Sequence, residues 1–218
     1  MPMKNKIGNR IGTAALSLVM MLFIICFAVT FTLNFKPLFY MDIKLLDIPA
    51  YSGFSEELIR TNYDILIDYN NFWGPDKLVF DGLAMSETGR IHFEEVKVIF
   101  EGFEYLCIIT AAILAVGVFF KLKAKDYSFL KLGGILTIVI PTVIAGLIGL
   151  NWEWVFVKFH EIAFNNDYWI FSYETDPVIL MLPDEFFMHC ALMIVAVTIL
   201  LSVASIVIHG IVKRRKNG

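Results

Sequence analysis

The sequence predicts an all-α membrane protein: four transmembrane helices with a small extracellular cap of helix and extended segments. Three observations carry that expectation. The chain has 218 residues, 58% of them hydrophobic, with a mean hydropathy of +0.69, which is too apolar for a soluble domain of this length. Its apolar residues gather into four long runs, and about 20 such residues make a helix that crosses a bilayer. Its Lys and Arg cluster at alternate ends of those runs, the pattern that sets orientation in a membrane.

The runs are 11–35, 103–120, 130–150 and 186–212, in a single membrane domain covering 1–218. The first follows Lys4, Lys6 and Arg10 and begins like a signal peptide. It is longer than an h-region and has no small-x-small cleavage site after it, so it reads as an uncleaved helix. The second holds no charge after Glu104. Gly133, Gly134, Pro141, Gly146 and Gly149 punctuate the third, predicting a kink or close packing, with Ala145 and Gly149 as a small-xxx-small pair for helix contact. The fourth ends on Lys213-Arg214-Arg215-Lys216. These basic flanks, with Lys121, Lys123, Lys125 and Lys131 between runs two and three, place both termini in the cytoplasm.

The segments 36–102 and 151–185 then form an outer cap. The first carries six Lys/Arg against twelve Asp/Glu, the second one against seven. Phe39 to Ile48 alternates loosely and predicts a strand or extended edge. Ser55-Glu56-Glu57 marks a helix start, with Leu58, Ile59, Asn62, Tyr63, Ile65, Leu66 and Tyr69 on one face and Gly74-Pro75 as its end. His92 to Phe100 reads as an amphipathic helix leading into the second run, with a Glu94–Lys97 pair on its solvated face.

Between the third and fourth runs lies an aromatic segment, Asn151 to Phe171, with three Trp, four Phe, one Tyr and one His. Amphipathic rings favour the membrane interface, so an aromatic belt is one reading. The other is a water-poor pocket in which His160 acts as acid or base. Four histidines occur. His209 stands one turn before the terminal basic run and His189 beside Cys190, both suited to packed or interfacial roles. His92 and His160 each sit where the cap meets the membrane, which makes them the candidate functional pair.

Competing chemistries find less support. His92 with Glu94 or Glu95, and His160 with Glu161, would offer metal ligands, yet neighbours on a helix point about 100° apart and no zinc spacing is present. Glu94-Glu95 is similar to the paired glutamates of intramembrane prenyl-protein proteases, but the arginine three residues on is absent. Cys26, Cys107 and Cys190 lie in or beside apolar runs and form no disulfide framework. Walker A, G-x-G-x-x-G, H-E-x-x-H, G-x-S-x-G and C-x-x-C motifs are all missing, and nothing points to nucleic acid.

Taken together in order, Arg60-Thr61-Asn62-Tyr63, Ile91-His92-Phe93-Glu94-Glu95-Val96-Lys97 and Lys158-Phe159-His160-Glu161-Ile162-Ala163-Phe164 resemble the bacterial lipoprotein intramolecular transacylase family over nearly the whole chain. The resemblance implies a cofactor-free acyltransferase of the bacterial cytoplasmic membrane, working at the extracellular face. Its partners would be membrane lipid and a lipoprotein whose N-terminal cysteine carries a diacylglyceryl group. The sn-2 acyl chain would move onto the α-amine of that cysteine, leaving a lyso-form lipoprotein. His92 and His160 match the family's two cap histidines. Trp152, Trp154, Phe159, Trp169 and Tyr63 would wall the substrate, with Arg60, Asn62, Asn151 and Asn165 as hydrogen-bond donors. A non-enzymatic membrane subunit, binding lipid or an extracellular partner through the acidic cap, is the alternative.

Overall fold

The computed structural model describes residues 3–217. Side chains of residues 3–8, 140 and 216–217, among them Lys4, Lys6 and Lys216, lie outside the described residues. The described chain is all-helical: α1 (Met3–Asn34), α2 (Pro37–Leu45), α3 (Ile48–Ser52), α4 (Glu56–Asn70), α5 (Glu87–Lys123), α6 (Ser128–Leu150), α7 (Trp152–Ala163), a 3-10 turn at Pro177–Met181, and α8 (Asp184–Asn217). Four of these, α1, α5, α6 and α8, are long and apolar enough to cross a membrane. Their apolar windows are only 11–33% buried within the protein. So much exposed hydrocarbon is stable only against lipid, and the chain is a multi-pass membrane protein.

The chain divides into two compact units. The first comprises Met1–Val29, Tyr105–Gly146 and Met193–Gly218. Leu16, Met20 and Ile24 of α1 pack with Phe129 of α6 at its centre. The small residues that matter are Gly133 and Gly134: an added Cβ would come within 2.6 Å of the Met20 Cε and 2.5 Å of the Ser205 Oγ, respectively. Each glycine thus opens one side of α6 to a different neighbour, α1 or α8. Gly149, expected from sequence to serve helix contact, has open space around it instead. The Lys121 ammonium donates to the Asn9 Oδ1, Thr13 Oγ1 and Asp126 Oδ2 at 2.9, 2.7 and 2.7 Å. His209 lies with its Nδ1 2.8 Å from the Tyr127 carbonyl, an anchoring contact.

The second unit, Thr30–Glu104 with Leu147–Leu192, takes in both acidic segments. It has a core of its own, with Phe39, Ile43, Ile48, Ile59, Tyr63, Tyr69, Val178 and Met181 almost fully enclosed. The Ser55 hydroxyl caps α4 by accepting from the Leu58 N–H at 3.2 Å. Its far end is closed by Lys97, whose ammonium donates to the carbonyls of Tyr69 and Pro75, both at 2.8 Å. Lys97 is therefore not the partner of Glu94, as the sequence suggested; Glu94 bonds Arg90 one turn earlier.

Residues 39–48 are not a strand. Pro37 opens α2 at the position where its missing N–H costs nothing, and Phe39 and Ile43 face the core one helical turn apart. Met41 and Leu45, which the alternation paired with them, are 64% and 70% exposed. Asp47, with φ +48°, then turns the chain into α3.

The same unit buries a carboxylate–imidazole pair that sequence did not reveal. Asp42, 2% exposed, holds the His189 Nδ1 at 2.9 Å from both carboxylate oxygens. Removing one partner of such a pair strands the other, at about 3–5 kcal/mol. His189→Ala should therefore lower unfolding stability by about 3 kcal/mol. Thermal melts in detergent would check this, and an unchanged midpoint would refute it.

Candidate active site

Two helices carry the candidate pair. His92 lies in the second turn of α5, within the charged stretch 87–102 that precedes the apolar run, and His160 in the last turn of α7. The start of α5 is fixed by Asp176, whose Oδ1 accepts from the Ser86 N–H at 2.7 Å. Gly89 is required there, because a Cβ would fall 2.2 Å from that same oxygen. α7 begins on Asn151, whose side chain accepts from the Trp154 N–H at 2.9 Å. The two cap contacts set the positions of the two helices, and the imidazole centroids end 6.3 Å apart.

Aromatic rings surround the pair. The Phe164 ring lies 4.6 Å from His92 and 5.8 Å from His160. Phe171 packs edge-on to His92 at 5.4 Å, and Trp169 stacks on His160 at 4.8 Å. Phe156 approaches His160 at 4.2 Å and Phe159 at 5.3 Å. His92 is only 5% exposed, while His160 is half-buried.

One hydrogen bond assigns a tautomer. The His160 Nδ1 is 2.7 Å from the Phe156 carbonyl, which can only accept, so Nδ1 carries the proton. In the neutral ring Nε2 is left with its lone pair, as a base needs. No described protein group bonds the buried His92 Nδ1. Burial, with His160 nearby, pushes the His92 imidazole down to about 4. Burial also lowers His160, opposed by its bond to the Phe156 carbonyl. At neutral pH both rings are uncharged.

The other expected residues fall in two places. Trp152 packs near Phe156 at 5.8 Å, and its buried Nε1, like that of Trp169, has no protein acceptor among the described residues. Trp154 and Phe159 are 50% and 56% exposed on α7. Asn62, Tyr63 and Arg60 are engaged within α4 and its surroundings. The Asn62 amide bonds the Leu58 and Asp81 carbonyls and the Asp81 N–H; Tyr63 stacks on Phe39; Arg60 pairs with Glu56 and lies over Tyr40. Sequence reasoning did not single out Phe156, Phe164 and Phe171 around the rings, or Asn166, and considered Glu95 only as a possible metal ligand or as half of a protease-like pair. Phe156 and Phe164 stand four residues either side of His160, and Glu95 one turn after His92, spacings that would have exposed them. Among the described residues no group of three or more His, Cys, Asp or Glu is placed to hold a metal ion.

Two uncharged imidazoles 6.3 Å apart inside an aromatic shell, in a chain with four helices able to cross a membrane, are the kind of site a membrane-integral enzyme carries. The lipoprotein intramolecular transacylase Lit family matches residues 14–187. The structure superposes on the membrane integral lipoprotein intramolecular transacylase Lit from Bacillus cereus with a TM-score of 0.93 and 36% identity, covering 95% of this chain and 97% of that one. Two single-histidine variants of the Bacillus cereus protein, to arginine and to alanine, match with TM-scores of 0.88 and 35% identity; each alignment covers 98% of this chain, and 95% and 97% of theirs. Comparison with curated protein sequences gives no match. The chain belongs to the lipoprotein intramolecular transacylase family and is an acyl-transferring membrane enzyme.

Proposed function

We propose that His92 and His160 carry the reaction: transfer of the sn-2 acyl chain of a diacylglyceryl-modified lipoprotein to the α-amine of its own N-terminal cysteine. The observation that supports this most is the paired geometry, a free Nε2 on His160 with a second neutral imidazole 6.3 Å away. Donor ester and acceptor amine belong to one molecule, so positioning dominates, and orientation alone supplies up to about 7–11 kcal/mol of such a barrier. The substrate ammonium gives a proton to the His160 Nε2. The freed amine attacks the sn-2 ester carbonyl, forming the C–N bond, and His92 donates an N–H to the developing oxyanion. The C–O bond breaks and the alkoxide takes the proton from His160; the His160 Nε2, neutral again, then accepts the surplus proton from the nitrogen and releases it to water, leaving a neutral amide. The rings of Phe156, Phe164, Trp169 and Trp152 exclude water that would hydrolyse the ester. Trp154 and Phe159, exposed on α7, lie against the lipid portion of the substrate. Of the α4 residues, Tyr63 backs this shell through Phe186, Phe187 and Phe156, while Asn62 and Arg60 hold α4 itself in place.

The deciding test is mass spectrometry of lipoprotein N-termini from a bacterial host with and without the gene. An N-acylated lyso-form is expected with it; a free amine bearing two O-acyl chains in its presence would overturn the reading. The mechanism also sets the pH profile of transfer. It needs neutral His160 and a substrate ammonium, so kcat/KM should be bell-shaped. The acid limb should fall below the ordinary histidine value of about 6.5, because burial lowers His160. The alkaline limb should follow the substrate amine near about 7.7–8.0 and move when that amine is altered. An acid limb above 6.5, or an alkaline limb indifferent to the substrate, would contradict the proton assignment.

The positive flanks support a placement with both termini in the cytoplasm and the histidines at the outer face of the cytoplasmic membrane. Cysteines introduced at residues 76 and 165, both exposed, should label with an impermeant thiol reagent in intact cells, and one at the exposed residue 125 should not. Labelling at 125 alone would invert the topology and refute this placement.

A further inference from the structure

Glu95 is a carboxylate close in the chain to His92 that the reaction as described does not use. It stands on α5 one turn after His92, and successive positions at that spacing share a helix face. Its Oε1 accepts from the Asn166 Nδ2 at 2.8 Å. The Asn166 Oδ1 accepts in turn from the Tyr168 N–H at 3.0 Å, so the amide cannot be turned around. Asn166 follows Phe164, whose ring touches both imidazoles, so this bond aims the carboxylate from the same short segment that completes the aromatic shell.

The other oxygen, Oε2, is buried and has no hydrogen-bond partner among the described residues. A buried carboxylate oxygen without a donor is costly, so its persistence calls for a donor from elsewhere. The cations nearest in the chain are already committed. Arg90 pairs with Glu87 and Glu94, Lys97 bonds the Tyr69 and Pro75 carbonyls, and Lys158 pairs with Glu161. The remaining orphans of the site, the His92 Nδ1 and the indole N–H groups of Trp152 and Trp169, lie in the same aromatic segment or beside it. The indoles offer only N–H, which suits ester oxygens; Glu95 offers only an acceptor, which suits a cationic nitrogen.

We propose that Glu95, positioned by Asn166, binds the α-ammonium of the substrate and presents it to His160. The inference rests on the transacylase reading above. Glu95 exchanges no proton in the step. Its Oε2 accepts one N–H of the nitrogen while His160 takes another proton, and its charge selects the ammonium form from solution.

The test uses the intact protein in nanodiscs and two lipopeptides with ether-linked chains, which cannot react. One keeps the α-amine; the other is its desamino analogue. Inhibition constants against the ester substrate at pH 6.5 should favour the amine-bearing ligand by about tenfold, the scale of one charge-assisted hydrogen bond. The preference should vanish in E95Q, recover in part in E95D, and leave desamino binding unchanged, which reports an intact fold. In the unsubstituted protein it should also fade as pH rises past the amine's titration near about 7.7–8.0, a readout that needs no variant. Equal binding of the two ligands by the intact protein, a preference that persists at high pH, or one that survives in E95Q would each overturn the proposal. Failure to transfer the acyl chain of the ester lipopeptide would refute the transacylase reading instead, whatever the ether ligands show.

Discussion

His160→Asn is expected to reduce intramolecular acyl transfer by about 10²–10⁴-fold, the range over which a positioned acid–base group contributes. Asparagine can still donate to the Phe156 carbonyl in place of the Nδ1–H that now reaches it at 2.7 Å, so the end of α7 should stay in place. What disappears is the Nε2 lone pair. Progress curves on a diacylglyceryl lipopeptide, with protein level and melting temperature measured alongside, separate the loss of a base from the loss of a fold. Activity within tenfold of the parent would remove His160 from the chemistry and reduce its aromatic shell to packing.

Acid should weaken the fold through His92. The unfolded imidazole titrates near about 6.5, whereas burial holds the folded one at about 4. Below 6.5 the unfolded chain takes up a proton that the folded protein refuses. Stability is therefore complete above 6.5 and drains away as pH falls towards 4, by about 3 kcal/mol in all. The lowered His160 adds in the same direction. Melting temperatures in detergent between pH 7 and 4 should fall, and His92→Asn, which cannot take up a proton, should flatten that slope. An equally steep slope in the variant would mean that His92 is not the group being titrated. The burial that makes His92 a neutral donor at pH 7 is thus the same burial that makes the cap acid-sensitive.

Much of this architecture is local chemistry and could be read directly. A run of apolar residues long enough to span a bilayer declares itself, and the four spans follow from length and hydropathy alone. Ser55 as a cap and Gly74 as a stop also depend only on near neighbours; the Asp68 carbonyl would lie 2.0 Å from a Cβ at Gly74. Periodicity failed at residues 39–48, where a short segment fits two repeats. There the core chose, taking Phe39 and Ile43 and leaving Met41 and Leu45 outside.

The site divides the same way. Sequence by itself determined that the protein is a helical membrane protein, that its acids collect in two segments, and that His92 and His160 are the titratable pair flanking the apolar runs. These are properties of composition and order, and no fold can alter them. Tertiary structure decided everything that needs residues far apart in the chain to meet: the 6.3 Å between the imidazoles, Asp42 against His189, and Asn166 against Glu95. It also decided the protonation chemistry. Whether a histidine is charged depends on how far water is excluded, and the rings that exclude it here come from both sides of a 70-residue separation, Phe93 on α5 and Phe164 beyond α7. Burial and long-range contact are products of folding, so they are legible only once the chain is folded.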